Sequence, residues 1–145
     1  MKMKHILILN GPNLNLLGER EVDLYGDLNL QELEDDLTES YGHLNLEFFQ
    51  SNHEGELIDK LHQARNSTDG VIFNPAAYTH TSVALRDAIL AVKIPVVEVH
   101  LSNPDQREDF RKTNYVRDVC ATHFQGKGID SYKEAINYLK NQDSK

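Results

Sequence analysis

At 145 residues the chain has the length of one domain, enough to bury about two-thirds of its unfolded surface without metal or disulfide staples. Its 23 acidic against 15 basic side chains, a formal net charge of -8, argue against a nucleic-acid footprint, and the lone cysteine, Cys120, excludes an intrachain disulfide. The first apolar run, Ile6 to Leu9, is far shorter than a signal-peptide core or a membrane span, so the expectation is a cytoplasmic protein with no membrane contact.

In chain order, Ile6-Leu7-Ile8-Leu9 reads as a buried strand, followed by a long connection from Asn10 to Gly26. Connections in compact α/β domains usually take about 2 to 6 residues, and longer ones often cover a binding site. This one carries a cation, Arg20, and a phenol, Tyr25. It has hinge-capable glycines at 11, 18 and 26, and Pro12 stiffens its start, so it reads as a lid over about residues 11–27. Asn29 with Glu32 forms a capping pair for a helix whose Leu30, Leu33 and Leu37 share a face until Gly42. Leu44 to Phe49 is a second strand, and Leu57, Leu61 and Ala64 mark a second helix. Val71 to Phe73 is a third strand, and Leu85, Ala88, Ile89 and Val92 mark a third helix. Pro95 to Leu101 is a fourth strand. A short helix is expected around Gln106 to Phe110, then a weaker strand near Ala121 to Phe124. A last helix turns Ala135, Ile136 and Leu139 inward, and Asn141 to Lys145 read as a loose tail.

Strands alternating with helices imply βαβ units and a parallel sheet, since a parallel return needs a crossover. Five such strands in one α/β domain fit a doubly wound, flavodoxin-like sheet of order 2-1-3-4-5, whose ligand crevice lies beyond the carboxyl ends of strands one and three. Unusual polar residues cluster at those ends. After strand three come Asn74, His80 and capping hydroxyls up to Ser82, while strand four places Glu98, His100 and Ser102 on one face at period two. Buried parallel strands are nearly continuous apolar runs, so a glutamate and a histidine there need a reason, such as a carboxylate orienting an imidazole for proton transfer. Each residue alone has a plainer reading. Glu98 with His100 equally makes a structural ion pair, Tyr25 a packed aromatic, Arg20 a solvated charge, Asn74 and His80 turn and cap residues. Asp87 equally fits an exposed helix position, and Arg107 with Arg111 a solvated face beside Glu108. Their convergence on one sheet edge favours a site.

Neither a phosphate-binding Gly-x-x-x-x-Gly-Lys loop nor a dinucleotide fingerprint is present, and no His/Cys group has zinc spacing. Acid–base chemistry on a small molecule remains.

Three stretches then carry a resemblance. Asn10-Gly11-Pro12-Asn13-Leu14-Asn15-Leu16-Leu17-Gly18 with Arg20-Glu21 and Tyr25-Gly26, the run from Asn74 to Ala88, and Glu98 to Asn103 with Arg107 to Arg111 together resemble the type II 3-dehydroquinate dehydratases of the shikimate pathway. The resemblance spans nearly the whole chain. It departs at Val22, where that family commonly has proline, and at residues 126–132, where a glycine-rich Gly-x-Gly-x-x-Gly-Tyr is usual. The resemblance implies a reversible anti elimination of water from 3-dehydroquinate through an enolate, serving aromatic amino acid biosynthesis, with no cofactor or metal. It assigns Tyr25 as the base, Arg20 as the stabiliser of its anion and of the transition state, and Asn13 as a holder of the water that meets the enolate. His100 is the acid, oriented by Glu98. Asn74, His80, the Leu101 backbone, Ser102 and Arg111 bind substrate, and Asp87 reaches in from a neighbouring subunit of a homododecamer built from trimers. The alternative is a non-catalytic small-molecule-binding module on the same fold, which would have little reason to keep Tyr25 and His100 together.

Overall fold

The structure is a computed structural model that describes residues 2–143; the side chains of Leu24 and Tyr25 lie outside the described residues. Five parallel strands form one sheet: β1 (His5–Asn10), β2 (Asn45–Gln50), β3 (Gly70–Asn74), β4 (Val96–His100) and β5 (Thr122–Gln125), in the expected order β2-β1-β3-β4-β5. The helices are α1 (Val22–Tyr25), α2 (Leu30–Ser40), α3 (Glu54–Ala64), α4 (Val83–Val92) and α5 (Ile129–Lys140).

Because successive strand residues face opposite sides, each strand feeds two cores. Ile6, Ile8, Ile72, Val97 and Val99 pack with Leu33 and Leu37 of α2 and with Ile136 and Leu139 of α5. Leu7, Leu9, Val71, Phe73 and Val96 pack on the other face with Leu57 and Leu61 of α3 and Leu85 and Ile89 of α4. All five residues of β4 are buried, including Glu98 and His100, which alternate with Val97 and Val99 and so share the face of Val96.

The helix starts follow their sequences. Asn29 and Glu32 make a reciprocal capping box on α2, and the Ser82 hydroxyl accepts the Leu85 N–H of α4 at 2.9 Å. The expected helix from Gln106 to Phe110 is instead two 3-10 turns, Pro104–Gln106 and Asp109–Lys112. Pro104 with the Asn103 cap opens the first, and an extended Arg107 (φ -114°, ψ -156°) ends it after one turn. Within the expected lid, Leu14–Leu16 forms a 3-10 turn and α1 adds a short helix. The tail expected to be loose from Asn141 is held as far as Asp143: the Met3 N–H reaches the Gln142 carbonyl at 3.3 Å and Lys2 bridges to Asp143.

Candidate active site

Register puts Asn10 beside Asn74 and Phe73 beside Glu98, so the exits of β1, β3 and β4 open side by side. The β1 and β3 exits touch directly. Gly11 donates its N–H to the Asn74 carbonyl at 2.8 Å, and a Cβ on Gly11 would meet the Pro75 carbonyl oxygen at 2.6 Å, so only glycine fits. The chain then turns through Asn13 in the left-handed region (φ 69°), where asparagine is tolerated. That turn is braced from the loop after β2: the Asn52 side-chain oxygen accepts the Asn13 N–H at 2.9 Å, and the Asn52 carbonyl accepts the Tyr78 hydroxyl at 2.8 Å.

At the β4 exit, Glu98 has no solvent exposure yet is fully paired. One carboxylate oxygen lies 2.6 Å from His100 Nε2 and accepts the Asn114 amide at 2.7 Å, while the other accepts Arg117 Nε at 3.0 Å. Burial pushes the carboxyl pKa up, but the hydrogen bonds and charge of His100, the hydrogen bond from Arg117 and that from Asn114 outweigh it and hold the pKa down at about 2. Glu98 is therefore a fixed anion at neutral pH, and it turns the His100 Nε2–H inward. Nδ1 is left as the nitrogen the ring can offer to the cleft it lines.

That cleft, of about 120 Å³, is cationic: Arg20, Arg107 and Arg111 join His80 and His100 around it. His80 donates from Nδ1 to the Thr113 carbonyl at 2.7 Å, and burial foremost lowers its pKa, favouring the neutral ring. Arg111 is steered by Glu108 at 3.0 Å and lies over the Phe110 ring. Arg107 is nearly buried and reaches Ser102 at 3.5 Å and Glu21, on the expected lid, at 3.6 Å. Burial pushes the Cys120 thiol up to about 12, which removes it as a nucleophile. Among the described residues no cluster of His, Cys, Asp and Glu could hold a metal.

Of the residues singled out in the sequence, Asn13, Arg20, Asn74, His80, His100, Leu101, Ser102 and Arg111 all line this cleft, with Glu98 directly beneath His100. Asp87 does not: it is exposed on α4, away from the cleft of its own chain. Tyr25 ends α1, and the expectation placed on its side chain lies outside the described residues.

Over residues 4–140 the chain matches the model of the family described as dehydroquinase class II. The chain belongs to that family.

Proteins named as dehydroquinate dehydratases or dehydroquinases resemble it over most or all of their length. The chain is 52% identical over 145 residues to the 3-dehydroquinate dehydratase of Bacillus licheniformis, covering 99% of this chain and 100% of the relative. It is 52% identical over 139 residues to catabolic 3-dehydroquinase 2 of Neosartorya fischeri, covering 94% and 92%. The crystal structure of the type II dehydroquinase from Butyrivibrio crossotus superposes with a TM-score of 0.92 at 44% identity, covering 94% of this chain and 97% of that one.

The cleft combines an imidazole backed by a buried carboxylate with cations and amides able to grip a carboxylate and hydroxyls. Three contributors escaped sequence reasoning. Asn114 and Arg117 hold Glu98 from 16 and 19 residues downstream, from a loop and the start of the short 3-10 turn Arg117–Val119, with no periodicity to expose them. Asn52 braces Asn13 from 39 residues away. Arg107 was visible only as half of an Arg-x-x-x-Arg pair, a spacing that a solvated face shares.

Proposed function

We propose that this class II dehydroquinase removes water from 3-dehydroquinate to give 3-dehydroshikimate in the shikimate pathway, through an enolate and with no cofactor. The observation that carries this reading is the His100 ring, backed by a buried anion on one nitrogen and facing a cation-lined cleft with the other. In the proposed reaction Tyr25, as phenolate, takes a proton from the carbon beside the ketone, and the electron pair moves onto the carbonyl oxygen as an enolate. The enolate then collapses, the carbon–oxygen bond at the β-carbon breaks, and the departing hydroxyl leaves as water with the proton carried by His100. Proton loss from Tyr25 and return of one to His100 restore the resting state.

A phenol has a pKa near 10, so keeping one ionised at pH 7 takes roughly 4 kcal/mol of differential interaction. The position of Arg20, on the same segment as Tyr25 and lining the cleft, supports it as the source. Asn13, in its constrained turn, holds the water that stabilises the enolate. Arg111, His80, Asn74, Ser102 and the Leu101 backbone bind the carboxylate and hydroxyls. Residues 11–27 act as the lid, with the rest of the chain completing one catalytic domain.

Asp87 serves a neighbouring subunit in a homododecamer of trimers. This is supported by its outward position on α4 beside the exposed apolar Val83 and Leu90. Light scattering would then give twelve times the 16.6 kDa chain mass, and a monomer would overturn the assembly. The protein is cytoplasmic, consistent with a small-metabolite substrate; no helix among the described residues is long and apolar enough to cross a membrane.

The test is a continuous ultraviolet assay for the conjugated enone product in the presence of a chelator. Turnover that persists with chelator and falls by about 10²–10⁴-fold in Tyr25→Phe is expected. A folded wild-type protein without turnover would overturn the proposal and return the binding-module alternative, which the kept acid–base pair disfavours.

A further inference from the structure

Beneath the cleft, the ends of β1 and β3 are tied to α5 by a buried network of which the proposed reaction uses only Asn74. The Tyr132 hydroxyl donates to the Asn10 side-chain oxygen at 2.6 Å and accepts from Asn74 Nδ2 at 3.0 Å, while the Asn74 side-chain oxygen accepts the Ala76 N–H at 3.1 Å. Asn10, Asn74 and Tyr132 are 1%, 3% and 0% exposed. Burial raises the Tyr132 pKa, so the ring stays a neutral phenol with a single proton to donate.

Donor arithmetic fixes the sense of every bond. With its one proton committed to Asn10, the Tyr132 oxygen is left only as an acceptor and demands an N–H from Asn74. Turning the Asn74 amide over would set its NH₂ against the Ala76 N–H, donor against donor. The amide is thereby held in one orientation, with its oxygen spent on Ala76, one N–H spent on Tyr132, and one N–H left for the cleft that Asn74 lines. Ala76 itself sits at φ 53°, a left-handed position costly for a residue with a Cβ, and the Asn74 oxygen bond helps keep it there. Among the described residues the Asn10 Nδ2 group is buried without a partner, so the Asn10 side-chain amide depends on the Tyr132 hydroxyl for its bond.

From this geometry we infer that Tyr132, on α5 and outside the cleft, is a positioning residue for substrate binding: its hydroxyl aims the one free N–H of Asn74. The inference rests on the reading that Asn74 binds substrate. It also gives the 126–132 segment a task, since the Lys127 N–H bonded to the buried Ser131 hydroxyl at 3.1 Å and the Gly128 N–H bonded to the Leu101 carbonyl at 3.1 Å seat the start of α5 against the cleft wall.

The test is steady-state kinetics on Tyr132→Phe, which keeps the ring and removes only the hydroxyl. We expect KM for 3-dehydroquinate to rise about five- to tenfold, kcat to stay within about twofold and the pH profile to keep its shape, the signature of lost orientation in ground-state binding. Thermal stability will also fall, because Asn10 loses its bond. The double variant Asn10→Leu/Tyr132→Phe, which removes that stranded amide, should recover stability but not KM, and it is read in place of the single variant should the latter not fold. Asn74→Ala should raise KM by itself and make Tyr132→Phe silent in its background. KM recovering together with stability in the double variant, or an unchanged KM in folded Tyr132→Phe beside a raised KM in Asn74→Ala, would overturn the positioning role while leaving Asn74 as a binding residue. An unchanged KM in Asn74→Ala would overturn both.

Discussion

Two buried polar networks sit next to each other under this cleft and differ in kind. The ends of β1 and β3 are closed by neutral groups, the Asn10 and Asn74 amides joined through the Tyr132 hydroxyl. The end of β4 is closed by charged groups, the Glu98 carboxylate between His100 and Arg117. Amides and a buried phenol do not change protonation over the working pH range, so the first network can set direction without taking part in proton transfer. A carboxylate backed by an arginine keeps its charge fixed, so the second can stabilise an imidazolium in one moment and an imidazole in the next. For the proposed reaction the comparison teaches a division of labour: the neutral side is suited to fixing where the substrate lies, and the charged side to managing where the proton goes.

Breaking the charged side should cost most. His100→Ala is expected to lower kcat by about 10²–10⁴-fold with the fold intact by circular dichroism, because the proposed acid is gone. Glu98→Gln should lower kcat by roughly 10–100-fold and also reduce the melting temperature, since Arg117 and Asn114 then face an amide in place of their anion. An unchanged melting temperature in that variant would show the network to be unimportant for stability.

The charge also sets an acid limit. The Glu98 pKa in the folded protein is held below its ordinary value, at about 2. Its stabilisation is therefore complete above about pH 5 and is lost as the pH falls toward about 2, amounting to roughly 3 kcal/mol. Denaturation followed across that window should show wild type losing stability more steeply than Glu98→Gln; parallel slopes would count against the assigned charge. The neutral side gives smaller effects. Asn52→Ala, which removes the acceptor for the Asn13 N–H, should lower kcat/KM about fivefold, measured in the same ultraviolet assay, with little change in its pH dependence.

The two networks were not equally legible in the sequence. Glu98 and His100 stood out because ionisable groups at period two interrupt a strand that should be apolar throughout, and the strand order placed them beside Asn74. Asn10 and Tyr132 carried no such signal: an asparagine at a strand end and a tyrosine on an amphipathic helix both have ordinary readings, and their contact spans 122 residues of sequence. Asn114 and Arg117 were hidden for the same reason, as side chains that fold back onto Glu98 from a loop and a single 3-10 turn. Asp87 was legible as an exposed helix position, because Leu85, Ala88 and Ile89 mark the buried face of α4. The short helix expected at Gln106 to Phe110 failed locally, because Pro104 starts a turn that the extended Arg107 cannot continue.

The proposed assignment of Tyr25 as base and His100 as acid is tested most directly by proton nuclear magnetic resonance of 3-dehydroquinate in heavy water with His100→Ala. Without the acid, proton removal by Tyr25 should continue while water cannot leave, so the variant should wash deuterium into the carbon beside the ketone and form almost no product. Tyr25→Phe should do neither. A folded His100→Ala protein that neither exchanges that proton nor dehydrates the substrate would contradict the account, since His100 would then be needed for the step assigned to Tyr25.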